Sequence, residues 1–202
     1  MPVVVGLALG PVDLLLQHVL PYPFANLANS SAVWALVAFA VGWSVRGRWW
    51  PPVAGTLCLL LAVEGYYLTA VLTLGDDWST LTNGAAQVWL VLAVGAGVVL
   101  GTAGAWARSA HAWRGPLGSA TVVAVVLAEA WLNLSRLSDA GDDTAYRHDL
   151  AQTAVLLLVL AVPVAVVAGR SAHQRVVGSV LALALALVGA LAIGTVRSAG
   201  LL

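Results

Sequence analysis

Long runs of apolar residues, separated by short polar stretches, dominate this 202-residue chain. The runs lie near 3–20, 30–45, 52–74, 85–106, 117–134, 150–169 and 176–196. Most approach the roughly 20 residues that a helix needs to cross a hydrocarbon core of about 30 Å. They do not alternate with polar residues, which favours helices over barrel strands. The pattern predicts an all-α polytopic membrane helix bundle, with seven transmembrane helices in a single domain over 1–202.

The amino-acid composition also indicates a membrane protein. Hydrophobic residues make up 61% of the chain and charged residues 9%, against about 25% charged residues in ordinary soluble domains. The net charge of zero offers no basic surface for nucleic acid, so we expect no nucleic-acid partner. The single cysteine, Cys58, can form neither an internal disulfide nor a cysteine metal cluster.

The sign of the charges in the loops predicts the orientation of the helices. Alternate loops are purely basic, with Arg46, Arg48, Arg108, Arg114, Arg170 and Arg175. The loops between them are rich in aspartate, with Asp76, Asp77, Asp139, Asp142 and Asp143. Because positively charged loops stay in the cytoplasm, we expect a multi-pass protein of the bacterial plasma membrane. Its N-terminus would be cytoplasmic and its C-terminus extracytoplasmic.

Several short motifs recur in the same order and indicate an internal repeat. Gly-Asp-Asp occurs at 75–77 and 141–143, Ala-Gln at 86–87 and 151–152, and Arg-Ser-Ala-His at 108–111 and 170–173. We therefore expect tandem helical hairpins made of helices 1–2, 3–4 and 5–6, with the seventh helix outside them. The alternative is chance, because helices rich in Ala, Val and Leu resemble one another.

Three acids lie inside the apolar runs. Glu64 and Glu129 each follow a proline, Pro51 or Pro116, by thirteen residues, which places both about 20 Å from the inner surface. Asp13 is expected at a similar depth. Such a charge costs about 2.5–3.5 kcal/mol at a helix centre, so we expect at least one of the acids to be protonated when the site is empty. Intramembrane acids are by default candidates for a functional site.

Aromatic and amide side chains accompany these acids, and carboxylates beside aromatic faces suit an organic cation. The candidate substrate-binding residues are Glu64, Glu129, Asp13, Tyr66, Tyr67, Trp131, Gln17 and Gln87. The alternative for the aromatic residues is an interfacial belt. The alternatives for the glutamates are hydrogen bonds between helices or snorkelling to the surface. His18 and His148 could join the acids around a metal ion, but they lack ligand spacing, so the question of a metal stays open.

The leading functional hypothesis is a protein that binds or transports a small, cationic solute through an outward-facing acidic and aromatic pocket. The first alternative is a structural or accessory membrane protein that contacts lipid, another membrane protein or a second copy of itself. An intramembrane enzyme is the second alternative, but no P-loop, HExxH or GxSxG motif and no nucleophile is found. We expect no catalytic residue and no cofactor.

The segment PYPFANLANSSAVWALVAFAVGWSV at 21–45, followed by the helix that contains Glu64, resembles a family of actinobacterial multi-pass membrane proteins labelled only as a domain of unknown function. That resemblance implies a plasma-membrane location and about this length, and it assigns no activity or site residue. A looser similarity in size and layout is to the substrate-binding subunits of energy-coupling-factor vitamin transporters. The seven predicted helices depart from that second pattern.

Overall fold

The structure is a computed structural model that describes the backbone of residues 1–198 and the side chains of residues 1–191. Eight α-helices and no strand occur in residues 1–198. The helices are α1 (Pro2–Val19), α2 (Phe24–Ala28), α3 (Ser31–Ser44), α4 (Trp50–Thr69), α5 (Gly84–Ala107), α6 (Arg114–Arg136), α7 (Thr144–Ala168) and α8 (Ala172–Ser198). Within the described residues, seven segments are long and apolar enough to cross a membrane, and α2 and α3 together form one of them. The predicted all-α class with seven membrane-spanning helices is confirmed.

Helix starts differ most from the predicted boundaries, because polar caps extend helices beyond their apolar runs. Helix α7 begins at Thr144 and not at residue 150, and the Asp143 carboxylate accepts a hydrogen bond from the Tyr146 backbone N–H at 3.0 Å. At the start of α8, the Ser171 hydroxyl accepts one from the Gln174 N–H at 3.1 Å. A capping side chain satisfies one of the backbone donors that a helix start leaves without an intrahelical partner.

Two short elements between α4 and α5 were not predicted. A π-helical turn, Ala70–Leu74, ends α4, and a 3₁₀ turn, Trp78–Leu81, precedes α5. The backbone reverses at Gly75, whose φ of 77° is readily adopted only by glycine. Hydrogen bonds from Ser79 lower the pKa of the exposed Asp77, so this cap of the 3₁₀ turn is ionised at neutral pH.

The helices pack as two compact units, Met1–Arg108 and a second unit that begins at Ser109. The boundary falls between α5 and α6, which is also where the predicted hairpins 3–4 and 5–6 meet. The expectation of a single domain over 1–202 stays a prediction.

In the first unit, α1 packs on α4, while α5 packs on both α3 and α4. Glycine lets these backbones come close together. A methyl group on Gly10 would overlap the Ala62 carbonyl of α4, and one on Gly42 of α3 would overlap the backbone of Gly101 in α5. Small residues at membrane helix contacts permit this close approach. The relative depth of the helices in this unit is therefore fixed by backbone contact.

In the second unit, α6 packs against both α7 and α8. Ser119 of α6 lies next to Gly178 of α8, where a methyl group on the glycine would crowd the hydroxyl. The buried Gln174 side chain donates to the Gly115 carbonyl at 3.0 Å and accepts from the Arg170 N–H at 3.3 Å. The seventh membrane-spanning segment, α8, packs along α6, with these small residues at the contact.

Substitution of Gly10 by alanine should destabilise the first unit. The added methyl group meets backbone atoms of α4 that cannot move aside without separating the helices. Overpacking of this kind lowers the free energy of unfolding by about 1–3 kcal/mol. Thermal unfolding of the purified protein in lipid nanodiscs would measure the loss. Gly95→Ala is the matched control, because Gly95 also lies inside a helix but no atom lies within 4 Å of an added methyl group. Equal melting temperatures for the two variants would contradict the packing described here.

The predicted orientation can be tested with single cysteines. Cys58 is fully buried, so we expect the native protein to resist a membrane-impermeant maleimide in its folded state. Ser138 and Ala112 are exposed in loops that flank α6. In intact cells the reagent should label Ser138→Cys, whereas Ala112→Cys should react only after permeabilisation. The reverse pattern would mean that the arginine loops face outward.

Candidate functional site

The first unit contains one buried acid. Asp13, in the middle of α1, is 3% exposed. One carboxylate oxygen accepts a hydrogen bond from the Trp34 indole N–H at 3.0 Å, and the other accepts from the Gln17 amide at 3.2 Å. These two donors come from different helices, so the carboxylate joins α1 to α3.

The connection between α1 and α3 brings Trp34 to Asp13. The short helix α2 leads to Ser30, whose fully buried side chain accepts a hydrogen bond from the Ala32 N–H at 3.1 Å and so begins α3. Trp34 lies in the first turn of α3. A cap of this type fixes where a helix starts. The Ser30 cap therefore fixes where α3 begins, and with it where the Trp34 indole lies relative to Asp13.

Helix α4 contributes tyrosine to the same cluster. The Tyr66 side chain lies near that of Gln17, and its ring packs edge to face on Tyr67 with centroids 5.6 Å apart. The close approach of α1 and α4 makes this possible, because Gly10 lies against the backbone of Tyr66 itself. We call Asp13, Gln17, Trp34 and Tyr66 the Asp13 cluster.

The partners described for Asp13 are neutral. An indole N–H and an amide N–H orient a carboxylate but carry no positive charge of their own. The arginines of the first unit lie outside its helices: Arg46 and Arg48 between α3 and α4, and Arg108 directly after α5. The hydrogen-bond partners described for Asp13 thus include no cationic side chain.

Glu64 lies on a different face of α4. Its side chain is exposed, while the next residue, Gly65, packs on Pro11 of α1. Successive helix positions are about 100° apart, so the face that contacts α1 points away from the glutamate. Among the described residues, Glu64 is not a hydrogen-bond partner of the Asp13 cluster.

Two of the predicted site residues belong to the second unit. Glu129 is half-buried on α6, and its carbonyl accepts a hydrogen bond from the buried Asn133 side chain at 2.9 Å. Trp131 is 55% exposed on the same helix. The chamber that Glu129 was expected to share with Glu64 stays a prediction, since the two acids lie in separate units.

The remaining candidates lie near the ends of helices. Gln87 is exposed in the first turn of α5 and donates to the Thr82 carbonyl at 3.0 Å, so it extends the cap of that helix. The His18 Nδ1 lies 2.8 Å from the Leu14 carbonyl of its own helix, and His148 contacts Gln152 one turn further along α7. No group of three or more His, Cys, Asp or Glu side chains is placed to hold a metal ion in the described part of the chain.

Trp34 was not among the predicted site residues, although its hydrogen bond to Asp13 defines the cluster. The sequence does contain a signal for it. An indole N–H that is removed from water needs an acceptor, and Asp13 is the only acid in the first 63 residues. A tryptophan near the end of an apolar run is, however, equally typical of an interfacial belt. The pairing spans 21 residues, and spacing along one helix cannot reveal it.

Comparison with known proteins gives a family and no activity. No curated protein and no solved structure matches the chain. One family model matches residues 1–199, which is nearly the whole sequence, and its description is a family of unknown function. The expectation of an uncharacterised family is therefore confirmed, and the chain belongs to the family of unknown function DUF6518.

Proposed function

We propose that this multi-pass membrane protein binds a small cation at the Asp13 cluster and passes it across, or presents it at, the membrane. The observation that supports the proposal is the buried Asp13 carboxylate, which has neutral hydrogen-bond donors on both oxygens. An ionisable group in a membrane span is rare and usually lines a substrate or ion pathway. A bound cation would supply the missing positive charge.

The side chains of the cluster favour a monovalent cation over a divalent metal. Divalent metals prefer several carboxylate, imidazole or thiolate ligands, and the Asp13 cluster contains one carboxylate. Trp34 and Tyr66 add aromatic rings, and amines combine charge pairing with cation–π attraction at such sites. An ammonium ion or a small organic amine is therefore the proposed class of ligand.

The fuller form of this proposal is a transporter built from repeated hairpins. The recurring Gly-Asp-Asp, Ala-Gln and Arg-Ser-Ala-His motifs support a duplication, and many transporter folds contain internal repeats with sites at the repeat interface. Glu64 and Glu129 would then serve a second polar position, and the aspartate-rich loops would raise the cation concentration at the entrance.

A structural function is the second candidate, and the geometry of Asp13 also supports it. Both carboxylate oxygens are already hydrogen-bonded, and the Trp34 donor belongs to another helix. Hydrogen bonds between membrane helices contribute about 0.6 kcal/mol on average and up to about 1.7 kcal/mol. In this reading, Asp13 only joins helices, and the protein stabilises a partner or a lipid environment.

Cation binding should raise the melting temperature of the wild-type protein and leave Asp13→Asn unaffected. A ligand at 100 times its Kd stabilises the folded state by about 2.7 kcal/mol. The assay is thermal unfolding in nanodiscs against ammonium, methylamine, tetramethylammonium, sodium, potassium and magnesium salts. Asp142→Asn, which removes an exposed loop carboxylate, controls for the loss of one negative charge. The proposal fails if the wild type responds to no cation, or if Asp13→Asn responds as the wild type does.

Trp34→Phe separates the two candidates. If Asp13 only joins helices, Trp34→Phe and Asp13→Ala should each lower the free energy of unfolding, by about 0.6–1.7 kcal/mol per hydrogen bond removed. The double variant should then fall no further than Asp13→Ala alone, because the hydrogen bond that Trp34→Phe removes is already lost in that variant. If Asp13 holds a cation, Trp34→Phe should keep a weakened response and Asp13→Ala should lose it. Cation titrations of the three variants measure both effects.

A further inference from the structure

The loop between α3 and α4, together with the first residue of α4, forms a basic and aromatic surface that is separate from the Asp13 cluster. We call residues 45–50, VRGRWW, the 45–50 loop. Arg46 and Arg48 are exposed, and Trp49 and Trp50 are 70% and 66% exposed. The loop connects two membrane-spanning segments. Exposed indole rings at the end of a span are typical of the membrane–water interface.

The backbone of this loop is held in place. Gly47 adopts a φ of 110°, which an L side chain rarely adopts. The Val45 carbonyl, where α3 ends, accepts a hydrogen bond from the guanidinium of Arg108 at the end of α5. The loop is thus fixed to two helices.

The arrangement of Arg48 leaves it able to bind an anion. Its guanidinium lies over the Trp49 ring, 5.2 Å from the centroid. An arginine in such a cation–π contact keeps its charge. Its N–H groups form a planar fork whose geometry matches the oxygens of a phosphate.

Acidic residues are missing from the sequence around this end of the first unit. The sequence contains no Asp or Glu between Asp13 and Glu64, and none between Asp77 and Glu129. The 45–50 loop and the adjoining end of α5 nevertheless carry three arginines, Arg46, Arg48 and Arg108. The positive charge of Arg46 and Arg48 is therefore not compensated by carboxylates nearby in the sequence.

We propose that the 45–50 loop is a binding site for the phosphate headgroup of an anionic phospholipid. Arg46 and Arg48 would supply the guanidinium groups, and Trp49 and Trp50 would lie among the glycerol and upper acyl groups of the same leaflet. The two exposed indoles favour a lipid over free phosphate, because only a lipid has glycerol and acyl groups for them to contact. Basic clusters beside membrane-spanning helices attract anionic lipids in this way. The site does not depend on cation binding at Asp13.

The test compares lipid retention by the wild type, Arg46→Gln/Arg48→Gln and Arg136→Gln/Arg147→Gln. The last variant removes the same charge from exposed arginines at the C-terminal end of α6 and the N-terminal end of α7. Native mass spectrometry of each protein from mixed micelles of phosphatidylglycerol and phosphatidylcholine measures the affinity ratio of the two lipids. Loss of two interfacial arginines should reduce the preference for phosphatidylglycerol about 30-fold, while the control keeps it.

Two results would overturn the proposal. One is an equal preference for phosphatidylglycerol in the wild type and in Arg46→Gln/Arg48→Gln. The other is displacement of the lipid by millimolar inorganic phosphate, which would make the loop a site for a soluble anion. Arg46→Lys/Arg48→Lys guards against a folding defect, because it keeps the charge and should retain much of the preference. If this lysine variant is folded and shows no preference, charge is not what binds the lipid, and the proposal also fails.

Discussion

Helices in lipid must attract one another without a hydrophobic driving force, and this requirement governs the structure. Lipid tails are as apolar as leucine, so helix contacts depend on close packing and hydrogen bonds. The first unit meets this requirement with glycine at the crossings, where Gly10 lies against α4 and Gly42 against Gly101. Backbones that touch have little freedom to slide. Three residues after Gly10, Asp13 is thereby held at a fixed depth beside α3 and α4.

The Asp13 cluster holds its carboxylate in a defined position with hydrogen-bond donors that carry no positive charge. Its hydrogen bonds from Trp34 and Gln17 orient the carboxylate, and neither donor carries a charge. A site built only for stability would be better served by an apolar residue of similar volume, because buried charges recover their desolvation cost poorly. Under the proposed function, the charge of Asp13 is what a bound cation would pair with. The hydrogen bond from Trp34 holds this acid between α1 and α3.

The sequence was sufficient for the class of fold and for the approximate ends of the spans, because continuous apolar runs and loop charges depend only on the membrane. It was not sufficient for the rotation of each helix about its axis. Helix α4 is apolar on most sides, so nothing local distinguishes the side that bears Glu64 from the side that bears Gly65. Contacts such as Trp34 with Asp13, or Gln174 with the Gly115 carbonyl, need the register between helices. That register comes from packing, and short caps such as Asp143 decide where helices begin.

The position of Asp13 in the first helix has a consequence for the synthesis of the protein. Segments enter the membrane in chain order, and compact units complete their contacts from the N-terminus. When α1 leaves the ribosome, Gln17 is present on the same helix, but Trp34 arrives 21 residues later and Tyr66 later still. A lone helix with a central aspartate inserts poorly. We therefore expect α1 to remain at the translocon until α3 joins it. The two segments would then enter the bilayer as a pair.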